Sequence, residues 1–295
     1  MERILVTGAN GFLGKYIVGA VSNLSFRTLG LSGCDYNLDL STKVPEFTET
    51  FSKVIHVAGL AHIQPGSNKS AQRFFEVNET GTANLLESLE KVPHLPKSLI
   101  FISTVAVYGL DEGESIDETA PLNGSSSYAL SKIHGENLVR KWGEEHNINT
   151  LILRLPLIAG ANPPGNLGAM IKAIRKGYYF RIGDGSARRS MVLAEDVARV
   201  VTAPDNFSGT YNLTDGYHPS VRELESAIAT RLNKKIKQVP GPLIYALAKA
   251  GDFLPVFPFN TVRFRKLTST LTFSDVKARN ELNWNPSPVL KNLQI

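Results

Sequence analysis

The stretch Ile4-Leu5-Val6-Thr7-Gly8-Ala9-Asn10-Gly11-Phe12-Leu13-Gly14 decides how the rest of the chain is read. Ile4–Val6 is a short aliphatic run with the residue types of a buried strand. Helical spacing follows over Gly14–Ser22. Three glycines placed between a strand and a helix have separate uses: a tight turn, close backbone approach to a pyrophosphate, and close packing of helix on strand. The helix N-terminus then offers unpaired N–H groups and a partial positive charge to phosphates. The turn is a candidate dinucleotide site, with Gly8, Asn10, Gly11, Phe12, Leu13 and Gly14 as its contacts.

Outward from this turn, short β-rich runs alternate with helical patterns. Thr28–Leu31, Asn37–Leu40, Val54–Val57, Leu99–Ser103 and Thr150–Leu155 read as strands, and Asn78–Leu89 and Tyr128–Glu145 as helices. The alternation predicts an α/β fold, a Rossmann-type doubly wound parallel sheet. After Pro163 the pattern loosens, with Pro and Gly clusters at 163–168, 240–242 and 255–258, which predicts a smaller C-terminal substrate lobe. The expected division gives 1–162, plus a return segment near 190–215, to the dinucleotide-binding domain. Residues 163–189 and 216–295 go to the substrate-binding lobe.

Composition excludes several classes. No apolar run approaches the roughly 20 residues needed to span a bilayer, so no membrane insertion is expected. The chain opens directly on a strand pattern, without the charged and apolar regions of a signal peptide. Its single cysteine, Cys34, cannot form an internal disulfide, and a cytoplasmic location is expected. The net charge of +5 comes from scattered basic residues, with no clustered tract that would mark a nucleic-acid partner. No metal site is expected.

The spacing of Gly8, Gly11 and Gly14 differs from the usual GxGxxG and resembles the TGxxGxxG turn of extended short-chain dehydrogenases/reductases. Residues 1–290 can be laid along that family, whose members bind NAD or NADP. The resemblance implies that Asp39, in Asp39-Leu40, lies against the adenine and that the turn Ala58-Gly59 passes beneath the cofactor. It implies a structural and cofactor-contacting role for Asn78, in Val77-Asn78-Glu79-Thr80-Gly81-Thr82. An NAD-preferring member carries an acid at the end of the second strand, where it accepts hydrogen bonds from the ribose hydroxyls. By register that position is Ser32; no arginine stands beside it, and Asp35 is the nearest acid. The choice between NAD and NADP stays open.

Tyr128-Ala129-Leu130-Ser131-Lys132 begins the long helical pattern. Residues i and i+4 share a helix face, so phenol and ammonium can address one site. A tyrosine with a pKa near 10 is a poor base at neutral pH, and a neighbouring cation favours its ionised form. On its own Tyr-x-x-x-Lys is a common feature of solvated helix faces; the order of motifs gives it weight. Ser103-Thr104-Val105-Ala106-Val107-Tyr108-Gly109 resembles the family's serine/threonine motif, which assigns the catalytic hydroxyl to Thr104, with Ser103 as its fallback and a cofactor neighbour. Catalytic residues are therefore expected to be Thr104, Tyr128 and Lys132, the last two also contacting cofactor. Arg154-Leu155-Pro156 resembles the segment beside the nicotinamide, with Leu155 and Pro156 as the contacts.

The extended branch mostly handles sugars carried on a nucleoside diphosphate. Asn166-Leu167 resembles its diphosphate-contacting asparagine segment, and Arg189, seven residues before Asp196, matches its pyrophosphate-binding arginine. Thr104 would touch the sugar, and Arg263 or Arg265 could supply a second arginine. Dehydratases of the family carry Asp-Glu after the catalytic threonine, where this chain has Val105 and Ala106, so dehydration is excluded by that mechanism. A 4-epimerase and a 4-keto reductase of 4-keto-6-deoxy sugars remain, both using Tyr128 and hydride transfer at carbon 4 of a hexose or N-acetylhexosamine. An alternative of another class is a non-catalytic dinucleotide-sensing protein, which would have no need of the tyrosine and lysine. The family also implies a homodimer paired through helices that include Tyr128–Glu145.

Overall fold

A computed structural model describes residues 3–61, 68–203, 207–252 and 260–295. The opening aliphatic run forms β1 (Ile4–Thr7), buried along its whole length, and α1 (Phe12–Ala20) follows the glycine turn. The chain continues through β2 (Phe26–Gly30), β3 (Tyr36–Asn37), β4 (Lys53–His56), α2 (Asn68–Phe75) and α3 (Gly81–Glu90). Next come β5 (Ser98–Thr104), β6 (Gly113–Ile116), α4 (Ser127–His146), β7 (Asn149–Leu155) and β8 (Leu157–Ala159). The last third contains α5 (Gly165–Lys176), β9 (Phe180–Ile182), β10 (Met191–Leu193), α6 (Ala194–Val201), β11 (Gly209–Asn212), α7 (Val221–Arg231) and β12 (Lys237–Val239). It ends with α8 (Gly241–Asp252), α9 (Thr261–Thr268), β13 (Leu271–Phe273), α10 (Val276–Glu281) and α11 (Val289–Asn292). Among the described residues, no helix is long and apolar enough to cross a membrane.

Seven strands pair in parallel in the order β3-β2-β1-β4-β5-β7-β11. The fold is α/β and Rossmann-like. Strand alternation supplies two cores, because successive side chains point to opposite faces. Ile4, Val6, Ile55, Ile100, Leu151 and Leu153 face α1 and α6, while Leu5, Val54, Leu99, Phe101 and Ile152 face α3 and α4. The sheet order reverses between β1 and β4, where an open α/β sheet leaves a crevice beyond its carboxyl ends. The glycine turn and Ala58-Gly59 stand at that point.

A third cluster joins Leu167, Ile171 and Ile174 of α5 to Met191 and Leu193 of β10 and to Leu224 and Ile228 of α7. The C-terminal region is interleaved with the sheet rather than cleanly appended. β10 pairs with β8 outside the main sheet, β11 rejoins it, and Ala278, Leu282 and Trp284 pack into the α1–α6 core. One predicted helix differs: its first turn, Glu76–Thr80, is π-helical, and the α-helix begins at Gly81. Asn78 lies buried in that π turn, a feature that recurs at functional positions.

Candidate active site

Gly8 sits at φ +66°, and a Cβ there would lie 2.6 Å from the Ala58 nitrogen, so the turn after β1 is closed against the end of β4. At Gly14 an added Cβ would fall 2.1 Å from the Gly8 carbonyl oxygen, which is how closely α1 begins on the turn. Gly11 is the N-cap of α1 and provides no side-chain cap, leaving the first amides of the helix as open donors. A dinucleotide pyrophosphate fits that arrangement. Leu13 is buried in the α1–α6 core and can offer only backbone; Asn10 is exposed and donates to the Ser32 carbonyl.

Behind the turn runs a directional chain of hydrogen bonds. The Ala58 N–H donates to Thr7 Oγ1 (3.2 Å), whose hydroxyl pairs with His56 Nδ1 (2.7 Å). The Thr82 hydroxyl donates to the Asn78 carbonyl (2.6 Å), so it must accept from His56 Nε2 (3.0 Å). This places a proton on Nε2, and with the ring neutral Nδ1 accepts from the Thr7 hydroxyl. Burial agrees, holding the imidazole pKa down to about 3, with the Lys132 charge pushing the same way. The chain ties β1, β4 and the Asn78 turn together. Asn78 in turn accepts from the Leu60 N–H (2.7 Å) and donates to the Leu60 carbonyl (3.0 Å) and to Ser131 Oγ (2.9 Å).

The catalytic candidates converge from two elements. Thr104 ends β5, and its hydroxyl lies near enough to the Tyr128 phenol to act on its ionisation. Tyr128 and Lys132 lie in the first turns of α4, whose N-cap Ser126 accepts from the Ala129 N–H (3.1 Å). Burial pushes the Tyr128 phenol up, and the Thr104 hydroxyl opposes it. Lys132 is buried with its Nζ 4.0 Å over the Phe101 ring, in reach of the exposed Gly59. Burial pulls its pKa down to about 7, against the Glu136 carboxylate, which pushes it up. Phenol and ammonium, four residues apart on α4, are thus both desolvated by burial.

Sequence reasoning missed what holds this site from below. Glu136, one turn after Lys132, is fully buried and takes a bidentate pair from Arg154 Nε (3.0 Å) and Nη2 (2.7 Å). It also accepts from the Ser103 hydroxyl (2.5 Å). Arg154 Nη1 donates to the Tyr108 oxygen (3.0 Å), and that phenol donates to Asn212 Oδ1 (2.8 Å). One network thus binds β5, α4, β7 and β11. A signal existed: an arginine inside the apolar run Thr150–Leu155, and a glutamate at i+4 from the lysine. Ser103 belongs to this network rather than to the Thr104–Tyr128 pair, and Arg154 points into it. Leu155 is packed in the α1–α6 core, leaving Pro156 as the less buried member of that segment.

Other predicted contacts are distributed unevenly. Ser32 is exposed in the loop two residues after β2. The Asp35 carboxylate accepts from the Thr28 N–H (2.8 Å) and hydroxyl (2.7 Å), so it is tied back to β2. Asp39 accepts from the Ser41 N–H and hydroxyl and pairs with Arg73 (3.1 Å), while Leu40 is packed in the α3–α4 core. Asn166 is exposed in the first turn of α5, but the Leu167 side chain is buried in the third cluster. The Leu167 side chain belongs to the inward, apolar stripe of α5, so a substrate contact from this residue would come from its backbone. Arg189 donates to the carbonyls of Arg188 (2.8 Å), Lys266 (2.5 Å) and Ser269, capping the end of α9. Burial lowers its pKa, and the groups that receive its N–H donors are carbonyl oxygens, which carry no full charge. Arg263 and Arg265 are exposed on α9.

Residues 4–206 match the family described as the NAD dependent epimerase/dehydratase family. Among characterised relatives, an N-acetyl-alpha-D-glucosaminyl-diphospho-ditrans,octacis-undecaprenol 4-epimerase of Escherichia coli O157:H7 is 24% identical over 301 residues, covering 95% of this chain and 89% of that protein. The UDP-glucose 4-epimerase of Thermus thermophilus, solved with NAD, superposes with a TM-score of 0.73 at 25% identity, covering 97% of this chain and 94% of that one. RMD from Pseudomonas aeruginosa, solved with NADPH, has the same fold at a TM-score of 0.75 and 20% identity, over 99% and 96% of the two chains.

Proposed function

The chain belongs to the NAD-dependent epimerase/dehydratase family, and from that premise we propose that it is a 4-epimerase of a nucleoside-diphosphate hexose or N-acetylhexosamine. The observation that carries the reading is the convergence of Thr104 on the Tyr128 phenol, with buried Lys132 one turn along the same helix and its ammonium in reach of Gly59 after the closed glycine turn. The names of the relatives support carbon 4 and a diphosphate-linked sugar. The crevice at the β1–β4 switch point, with the open amides of α1, would hold the dinucleotide through Gly8, Asn10, Gly11, Phe12 and the backbone of Leu13 and Gly14. Asp39, Ala58, Gly59 and Asn78 would complete it.

When bound there, the nicotinamide supplies a hydride acceptor and donor. Tyr128 would take the proton from the sugar's 4-hydroxyl on oxidation and return it to the same oxygen on reduction of the ketone. Thr104 holds the reacting oxygen at a set distance from the phenol. Lys132, kept in a desolvated pocket, lends positive charge that favours the phenolate. The lobe built on α5, β10 and α7 would receive the rest of the substrate, with Asn166 and Arg189 on the diphosphate. For Arg189 this requires exchange of its carbonyl partners for phosphate oxygens, which a planar fork can pair two at a time.

A second reading, a 4-keto reductase using NADPH, is favoured by one feature. The end of β2 presents exposed Ser32, and the nearest acid along the chain, Asp35, is committed to Thr28. Denaturing the purified protein and quantifying released dinucleotide tests both. About one NAD per chain, with interconversion of UDP-hexose epimers, is the expected result. An empty protein that exchanges NADPH and reduces 4-keto sugars would replace the epimerase reading.

A further inference from the structure

Helices α8 and α9 display apolar residues in a way a water-facing element does not. On α8 the inward positions Gly241, Ile244, Ala248 and Gly251 are mostly small, while Pro242, Leu243, Tyr245, Ala246, Leu247 and Ala250 face outward. Ordinary surface helices have the opposite polarity. Among the large exposed hydrophobic side chains of the described residues, Leu243, Tyr245, Leu247, Val262 and Leu267 fall in these two helices. Their exposures run from 43% to 56%, which is substantial for side chains of that size. The Tyr245 and Phe264 rings meet at 5.4 Å and join the helices into one face, with Lys249 Nζ 5.3 Å over Tyr245. A contiguous apolar patch of this kind marks a contact surface.

Charge selects the partner. The two helices carry Lys249, Arg263, Arg265 and Lys266 against one acid, Asp252, whose carboxylate accepts from the Thr261 N–H and hydroxyl at the start of α9. Asp111 pairs with Lys266 at 3.0 Å, so the argument for a cationic face rests on exposed Lys249 and Arg265. In an isologous contact with a second copy, these cations would face their own kind. An anionic bilayer complements them, takes up aliphatic side chains below the phosphates, and suits a tyrosine whose polar tip stays at headgroup level. At twelve residues, α8 is too short to span the bilayer and would lie in the interface plane.

We propose that the α8–α9 face is a docking surface for an anionic lipid membrane, with Leu243, Tyr245, Leu247, Val262 and Leu267 buried at the interface and Lys249 and Arg265 against lipid phosphates. Docking there brings the sugar-diphosphate site near the bilayer, because the last carbonyls of α9 are those that Arg189 caps. That consequence rests on the proposed nucleotide-sugar reading; the docking itself does not.

Co-sedimentation of the full chain with phosphatidylcholine vesicles, with and without a large fraction of phosphatidylglycerol, tests it without reference to catalysis. Binding at least tenfold tighter to the anionic vesicles is expected, falling at least tenfold in L243D/L247D and again in K249E/R265E. Circular dichroism confirms that both variants fold, since all four positions are exposed. Absence of vesicle binding, or equal binding to neutral vesicles, would overturn the proposal. So would an L243D/L247D variant that loses self-association in sedimentation velocity while keeping its vesicle binding, because the face would then be an interface between copies.

Discussion

Tyr128 and Lys132 show how one helix turn sets the chemistry. Tyr128→Phe removes the oxygen proposed to transfer the proton and is expected to leave the fold and the glycine turn in place. Turnover should fall by about 10²–10⁴-fold with dinucleotide binding retained, measured by steady-state kinetics and equilibrium titration. Near-normal turnover would mean another group is the base. Lys132 makes a prediction about stability. Its folded pKa is about 7 against an ordinary value of 10.5. Between those values the unfolded chain holds a proton that the native chain has released, so stability rises with pH across that window. Below pH 7 both states hold the proton, and the full cost of burying the ammonium is felt. The Tm of Lys132→Met should therefore exceed that of the wild type most below pH 7, with the gap closing towards pH 10.5; a gap independent of pH would contradict the assigned burial.

At the scale of elements, the carboxyl ends of β5 and β7 and the first turns of α4 are registered by the buried Glu136–Arg154 pair. Replacing a buried pair with apolar residues can be nearly neutral, but removing one partner strands the other. Arg154→Ala should cost about 3–5 kcal/mol in denaturant unfolding, because it leaves Glu136 charged and buried. Loss of less than about 1 kcal/mol would show that water or Arg140, whose Nη2 lies 3.7 Å from Glu136 Oε2, can compensate. The helix itself is set locally: Ser126 caps it, and Gly124 lets the preceding turn pass close to the Ala106 carbonyl, where a Cβ would sit at 2.9 Å. That proximity brings Tyr128 to Thr104.

Across the whole molecule, the proposed chemistry lies at the sheet and the proposed substrate side at the third cluster. Arg189 joins the two, standing at the start of the segment that leads into β10 and capping α9 through the Lys266 and Ser269 carbonyls. Arg189→Ala should raise the KM for a nucleoside-diphosphate sugar by about tenfold or more, with little change in dinucleotide affinity. An unchanged KM would confine the residue to its capping role.

By itself the sequence determined the Rossmann-like sheet, the glycine turn and the placing of Tyr128 and Lys132 on one helix, because each depends on short-range periodicity or on spacing within one or two elements. Gly8, through its positive φ, and Gly14, against the Gly8 carbonyl, answer local backbone demands, and Tyr128 and Lys132 share a face at i and i+4 wherever a helix forms. What only the tertiary structure decided depends on residues far apart along the chain. Glu136 meets Arg154 and Ser103, His56 joins Thr7 to Thr82, Leu167 turns into a core, and Arg189 caps a helix far along the chain. Burial and hydrogen-bond partners arise from packing between elements, and a periodic pattern states which face is apolar without stating what that face will meet.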